Sequence, residues 1–313
     1  MPPNSRVLPI PRGAAIRTSE AAAFGATRAR LRRRDIQHPF TGTSSIGLDL
    51  SSVVDACRAY EPLLRPSEAF SHTTAALLYG IPLPRAAAAA LPVHVLSQTS
   101  TRARTAGAVG HRSTHPFLIA LRLGLPVVSP ELTWIQLAQT LSIHDLVAAG
   151  DHLVTPVGRG TDRMPPLTTI DRLRRMVDAS ARRRGVSVAA QALEQVRVGP
   201  ASRPETLLRL CIVESGLPEP EIGVAVSVAD GELILHPDLA YPELRIAIEY
   251  EGGNHRDPVR WERDIERREL FEDAGWRVIR VTAAGLADPA ALVARIRRVR
   301  EARGAELARR GGA

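Results

Sequence analysis

Asp238, Glu249 and Glu251, with His255 shortly after them, are the residues of this chain whose types and spacing could do chemistry. They sit at the ends of two segments, 232–240 and 244–250, that predict strands. The second, Leu-Arg-Ile-Ala-Ile-Glu-Tyr, alternates and is rich in β-branched residues. Tyr241-Pro242-Glu243-Leu244 predicts the turn between them, with Pro242 pre-set for its second position. A tight turn pairs Tyr241 with Leu244 and places Asp238 opposite Ala247. Side chains alternate with period two, so Asp238, Ala247, Glu249 and Glu251 then share one face. Carboxylates gathered on one face repel each other unless a cation lies between them, and Mg²⁺ or Mn²⁺ held through oxygen is the simplest candidate. The plain alternative is a solvated face of a hairpin.

The elements that must position these groups follow from local signals. Ser202 predicts an N-cap with Pro204 at the first helical position, and Gly216 ends that helix. A strand is expected over 221–228 before the hairpin. Asp257-Pro258 starts a helix that runs to Gly275, followed by a short apolar strand over 276–281 and a closing helix over 288–303. The order is helix, three strands, helix, strand, helix over about a hundred residues, a usual domain size.

That order and those residues resemble the PD-(D/E)XK nuclease superfamily, most nearly its very-short-patch-repair-like branch and the nuclease-like domains that carry Glu-x-Asp-Gly-x-x-His. The resemblance spans about 202–303, with Glu205, Asp238, Glu249, Glu251-Gly252 and His255 at the matching positions. It implies that Asp238 and Glu249 hold the metal, and that Glu205 holds a second metal or a bound water. Glu251 stands where the superfamily usually has Lys, and His255 would be a general base or a contact to the scissile phosphate. The chain departs from the pattern in one respect: it contains no Lys, so all 41 of its basic residues are Arg. Arg stays protonated and cannot act as the base. Either a metal-bound water loses its proton to His255 or Glu251, or catalysis has been lost.

At 313 residues the chain predicts two or three domains. Its net charge of +8 and pI near 10.7 favour polyanionic partners, although Arg-only, Ala-rich usage raises pI without any DNA contact, so only clustering is informative. The 44% apolar content excludes global disorder. Cys57 and Cys211 lie far apart in apolar surroundings and read as buried free thiols of a cytosolic protein. No signal-peptide layout and no apolar run of membrane-spanning length is present.

Near the N-terminus, Thr18-Ser19-Glu20 predicts the cap of a short helix through Phe24, and Gly25-Ala26-Thr27 a turn. A second helix over 28–34 would carry Arg28, Arg30, Arg32, Arg33 and Arg34 toward a DNA groove, with a wing strand from Phe40 onward: a helix-turn-helix layout. This pattern, with Ser71-His72-Thr73-Thr74-Ala75-Ala76, Gly80-Ile81-Pro82-Leu83-Pro84 and Gly124-Leu125-Pro126-Val127-Val128-Ser129-Pro130, is similar to AbiEi-type antitoxin-like proteins over about 15–155. The likeness implies a winged helix-turn-helix joined to a small α/β domain, with promoter binding or neutralisation of a toxin partner. The expected organisation is therefore mixed α/β. It runs as a winged helix-turn-helix over 1–50, a small α/β domain over 51–155, a linker and helical bridge over 156–200, an αβββαβα nuclease-like domain over 201–304, and a basic tail over 305–313.

Two further patterns bear on function. His72, His94, His111, His115, His144 and His152 fit no common zinc spacing and are read as structural. Arg256, Arg260, Arg263 and Arg267 recur at steps of four, three and four and line one helix face, with Trp261 and Ile265 opposite as core. That stripe either tracks a phosphate backbone toward the metal or forms ion pairs with Glu262, Asp264, Glu266 and Glu269. The sequence thus points to a metal-dependent endonuclease acting on DNA, most readily duplex, in defence or repair. Its rival is a non-enzymatic DNA-binding regulator or antitoxin. RNA cleavage stays open, because the metal chemistry does not read the sugar.

Overall fold

The computed structural model describes residues 11–99, 103–158, 163–181, 183–252 and 258–311, with the backbone alone over 258–264. It is mixed α/β. Its elements are β1 (Ala15–Arg17), α1 (Arg28–Leu31), β2 (Thr43–Ser45), α2 (Val53–Tyr60), β3 (Glu68–Phe70), α3 (His72–Leu78), β4 (Val93–Ser97) and β5 (Ala108–Arg112). There follow β6 (Ile119–Arg122), β7 (Leu125–Val128), α4 (Pro130–Leu137), α5 (Ile143–Val154), α6 (Ile170–Ala179), α7 (Val186–Leu193) and α8 (Arg203–Glu214). The rest are β8 (Val226–Val228), β9 (Leu233–Leu235), β10 (Leu239–Tyr241), β11 (Ile246–Glu251), α9 (Pro258–Asp273), β12 (Arg277–Thr282), α10 (Ala283–Leu286) and α11 (Pro289–Gly311). Among the described residues no helix is long and apolar enough to cross a membrane.

The chain divides into two compact units, Met1–Ser142 with Asp171–Gln191, and Ile143–Ile170 with Ala192–Ala313. In the first, a five-stranded sheet runs in the order β5-β4-β3-β7-β6. Phe70, Val93, Val95, Val127 and Trp134 are fully or almost fully buried in this unit. Leu123 and Gly124 both have positive φ (54° and 80°) and join β6 to β7 in a two-residue hairpin, the geometry that matches strand twist.

Ahead of that sheet the structure departs from the predicted pair of helices. Residues 18–20 make only a 3-10 turn, and α1 is a single α turn capped by Thr27, whose side chain accepts from the Arg30 amide. The physical reason is charge. An extended helix would stack Arg28 on Arg32 and Arg30 on Arg34 at four-residue spacing, where like charges destabilise. Arg30 instead turns inward and makes two bonds to Asp35, at 2.9 and 2.6 Å. Among the described residues 18–34 the two expected helices are not present, and a strand from Thr43, β2, pairs antiparallel with β1.

In the second unit, β10-β11-β12 form a three-stranded sheet in which β11 pairs antiparallel with β10 and parallel with β12, joined through α9. The alternation of β11 sorts its two faces. Ile246 and Ile248 pack with Leu208 and Ile212 of α8 and with Leu292 and Ile296 of α11, while Ala247 lies with Phe271, Val226 and Val228 on the other side. Full burial of Ile248 stabilises the unit by about 1.5–3 kcal/mol. Ser202 caps α8 as expected, and Gly216 and Gly275 take positive φ (both 77°) just past the ends of α8 and α9. The predicted strand 232–240 is two strands: Pro237 lies between β9, which pairs with β8, and β10.

Candidate functional site

The hairpin turn is longer than a tight turn. Pro242–Leu244 form a 3-10 turn and Arg245 closes it in the left-handed region (φ 50°), so Tyr241 pairs with Ile246 rather than with Leu244. The pairing therefore slips by two positions, and the register continued past Leu239↔Ile248 sets Asp238 across from Glu249, not Ala247. A slip of two keeps the face, so Asp238, Ala247, Glu249 and Glu251 still share one side of the sheet. β11 runs through Glu251 in continuous register with β12, with no bulge.

Each carboxylate has a local partner. Asp238 Oδ2 accepts from the Tyr250 amide at 2.7 Å. Glu249 pairs with Arg267 Nε at 2.9 Å, and Arg267 also donates to the His236 carbonyl. Glu251 is ion-paired with Arg280. Glu205 completes a capping arrangement on α8, accepting from the Ala201 amide at 2.8 Å and from Ser202 Oγ at 2.7 Å. Electrostatically, however, Asp238 feels two of the others. Burial pushes the Asp238 carboxyl up to about 7, and the nearby charges of Glu205 and then Glu249 push the same way, against the Tyr250 amide and Arg267. Glu205 and Glu249 therefore each lie within coulombic reach of Asp238.

His255 and Arg256 lie outside the described residues, as do the side chains of Arg260, Trp261 and Arg263. The predicted phosphate-tracking stripe is thus visible only at Arg267, which is turned to Glu249 and not offered to solvent as a free cation. Ile265, expected in the core, is 42% exposed. Of the N-terminal arginines, Arg28, Arg32 and Arg33 are exposed, and Arg30 is buried in its pair with Asp35.

Sequence reasoning missed a second cluster. In the first unit, His72 at the start of α3, His94 on β4 and His111 on β5 bring ring nitrogens together, with one ligand atom from each within 4.8 Å of the others. Among the described residues this is the group of three or more His, Cys, Asp or Glu side chains that closes so tightly; the three carboxylates above do not. His94 Nδ1 and His111 Nε2 are 2.9 Å apart, and the His72 ring stacks on His111 with centroids 3.7 Å apart. Ser71 precedes α3, but its Oγ makes no cap bond and instead lies 3.0 Å from His72 Nδ1. Burial, helped by the neighbouring imidazoles, drives the His72 ring down to about 2, and burial lowers His94. The signal in the sequence was indirect: β4 and β5 pair in parallel with Leu96 against His111, which puts His94 and His111 on one face. Without that register the spacings carry no pattern.

No family model matches the chain, and no solved structure matches it. It is similar to two uncharacterized proteins of Mycobacterium tuberculosis, one from strain CDC 1551 / Oshkosh and one from strain ATCC 25618 / H37Rv. Each is 31% identical over 118 residues, 37% of this chain. The chain spans 43% of the length of these relatives.

Proposed function

We propose that the second unit is a metal-dependent endonuclease-like domain of αβββαβα order, in a DNA-handling protein of defence or repair that works in the cytosol. The reading rests on Asp238, a half-buried carboxyl raised to about 7 by burial and by two facing carboxylates at the end of a strand pair. Perturbed carboxylates grouped in this way concentrate at functional sites. The order α8, β8, β9, β10, β11, α9, β12, α10, α11, in which the second expected strand is split into β9 and β10 and a short α10 is added, supports it. So does the donor set: oxygen ligands with surplus negative charge suit Mg²⁺ or Mn²⁺. Asp238 and Glu249 would hold the ion, and Glu205 a second ion or an ordered water. A bound ion would supply polarisation of the phosphodiester and a lowered pKa for the attacking water. Arg267 is ion-paired with Glu249 at 2.9 Å and would hold that carboxylate in place. Glu251 is ion-paired with Arg280, and His255 or Glu251 would take the proton of the water, as the resemblance implies.

The test is direct. Millimolar Mg²⁺ or Mn²⁺ should raise the thermal unfolding temperature, because an ion that binds only the folded state stabilises it. The same ions should also support nicking of plasmid DNA. Exposed Arg28, Arg32 and Arg33 would add duplex affinity; Arg32→Gln with Arg33→Gln should flatten the salt dependence of binding by a log–log slope of about 0.9 per residue, measured by fluorescence anisotropy. An unchanged slope removes these residues from the DNA contact.

One observation favours a second reading. The Glu249–Arg267 and Glu251–Arg280 pairs neutralise two of the carboxylates without any metal. They suit a non-enzymatic DNA-binding regulator or AbiEi-like antitoxin, with a toxin as protein partner. Protein that binds duplex DNA but gains no stability from either ion, and cuts no single-stranded, double-stranded or mismatched substrate, decides for that reading.

A further inference from the structure

We propose that His72, His94 and His111 form a binding site for a divalent transition ion of the zinc class, separate from the carboxylate site and with one coordination position open to a cleft. Three imidazoles converge here from three different elements, and the ligand atoms already lie within 4.8 Å of one another. Imidazole nitrogen selects Zn²⁺, Co²⁺, Ni²⁺ or Cu²⁺ over Mg²⁺, which demands oxygen. The cluster therefore takes a different class of metal from Asp238 and Glu249, and the inference stands whether or not the nuclease reading holds.

The surroundings are built to hold these rings. His72 sits in the left-handed region at φ 53°, a conformation few non-glycine residues adopt and one that persists where the surroundings impose it. What imposes it is visible: the His72 amide donates to the buried Gln136 Oε1 at 2.9 Å, and Ser71 Oγ lies 3.0 Å from His72 Nδ1. A hydroxyl on one ring nitrogen orients the other, as outer partners of metal-bound histidines do. His94 is fixed through its amide to Thr74 Oγ1 at 2.9 Å. Beside His111, a Cβ added at Gly110 would collide with the Ala103 backbone, so the close approach of that segment to β5 requires glycine.

A cavity of about 220 Å³ opens onto this cluster and is lined by His72, His111, Gln136, Gln139, Arg112 and Arg183. Three protein ligands leave a fourth tetrahedral position vacant, the donor count of zinc sites that bind water or substrate as distinct from closed structural sites. His72 and His111 both line the cavity, so a fourth ligand would reach an ion held by them from that side. Arg112 and Arg183 on the cavity wall make a small anion or a water the fitting fourth ligand.

The full chain, stripped of metal with a chelator and held in millimolar Mg²⁺ to fill the carboxylates, would be titrated with Co²⁺ and with Zn²⁺. Expected are visible absorption bands of four-coordinate Co²⁺, their displacement by Zn²⁺, and a Kd on the order of micromolar or tighter. His94→Gln and His111→Gln should each abolish the bands, with circular dichroism unchanged. Ser71→Ala should weaken binding by about 10- to 100-fold, and Asp238→Asn should leave it unaltered. His72 is left intact because its backbone conformation is tied to the start of α3. If one of the two histidine variants fails to fold, the other decides. Protein that takes up neither ion, or that keeps its bands in a folded histidine variant, overturns the site and leaves a hydrogen-bonded imidazole stack.

Discussion

Asp238→Asn should make the metal-free protein more stable at pH 8 and at the same time remove its response to Mg²⁺ and any DNA nicking. An unfolded Asp releases its proton near pH 4, whereas Asp238 in the fold holds its proton to about pH 7. Between those values the folded state carries the extra proton, so stability falls as pH rises from about 4 to about 7 and stays low above it. Three pH units correspond to at most about 4 kcal/mol, and partial solvent access brings the expected loss to about 2–4 kcal/mol. Asn cannot ionise and still offers an oxygen to the Tyr250 amide, so the variant escapes the loss. Its unfolding temperature at pH 8 should exceed that of the wild type by about 5–10 °C, with the difference vanishing near pH 4. Differential scanning calorimetry across pH, with and without Mg²⁺, checks both halves. A variant no more stable than wild type at pH 8, or one that keeps the Mg²⁺ shift, removes Asp238 from the centre of the site. Glu249→Gln separates the roles further, because it frees Arg267 and should end nicking while leaving duplex binding equal or tighter.

The parts of this fold legible in the sequence were those fixed by short-range chemistry. Ser202 with Pro204, Gly216, Pro258 and Gly275 each act within one helical turn, and the ends of α8 and α9 fall where those residues place them. The shared face of Asp238, Glu249 and Glu251 also survived, because parity along a strand is a local property. The turn did not. A tight turn and a 3-10 turn closed by left-handed Arg245 differ by two residues, and nothing between Tyr241 and Ile246 distinguishes them without the pairing to β12. The N-terminal helices were misjudged for a related reason: the Arg run has helix-forming side chains, but the bond between Arg30 and Asp35 competes with the continued helix. The histidine cluster was least legible. His72, His94 and His111 meet only because β4 and β5 pair in parallel and α3 begins beside them, a tertiary fact with no spacing signature.

Arg209→Leu should be the most destabilising single change in the second unit that touches no proposed site. Arg209 is 1% exposed in the middle of α8, and its guanidinium bonds Asp151 Oδ2 at 3.3 Å, Glu219 Oε1 at 2.9 Å and the Gln195 carbonyl at 2.6 Å. Asp151, on α5, is equally buried and also accepts from the Arg197 amide at 2.7 Å and Thr206 Oγ1 at 2.9 Å. Even with these donors, burial holds its carboxyl up at about 6. Removing the cation strands a buried carboxylate, which costs about 3–5 kcal/mol where the partner stays charged. The cost should shrink toward pH 4, because Asp151 in the fold is then protonated and no buried charge is left stranded. Asp151→Asn added to Arg209→Leu should recover about half of the loss at pH 7.5, since an amide keeps bonds to the Arg197 amide and Thr206 without a charge to bury. Denaturant unfolding followed by circular dichroism at pH 4.5 and 7.5 measures all three variants. A single variant within about 1 kcal/mol of wild type at pH 7.5, or a loss that does not depend on pH, would show that α5 and α8 are held together by their apolar packing and not by this buried ion pair.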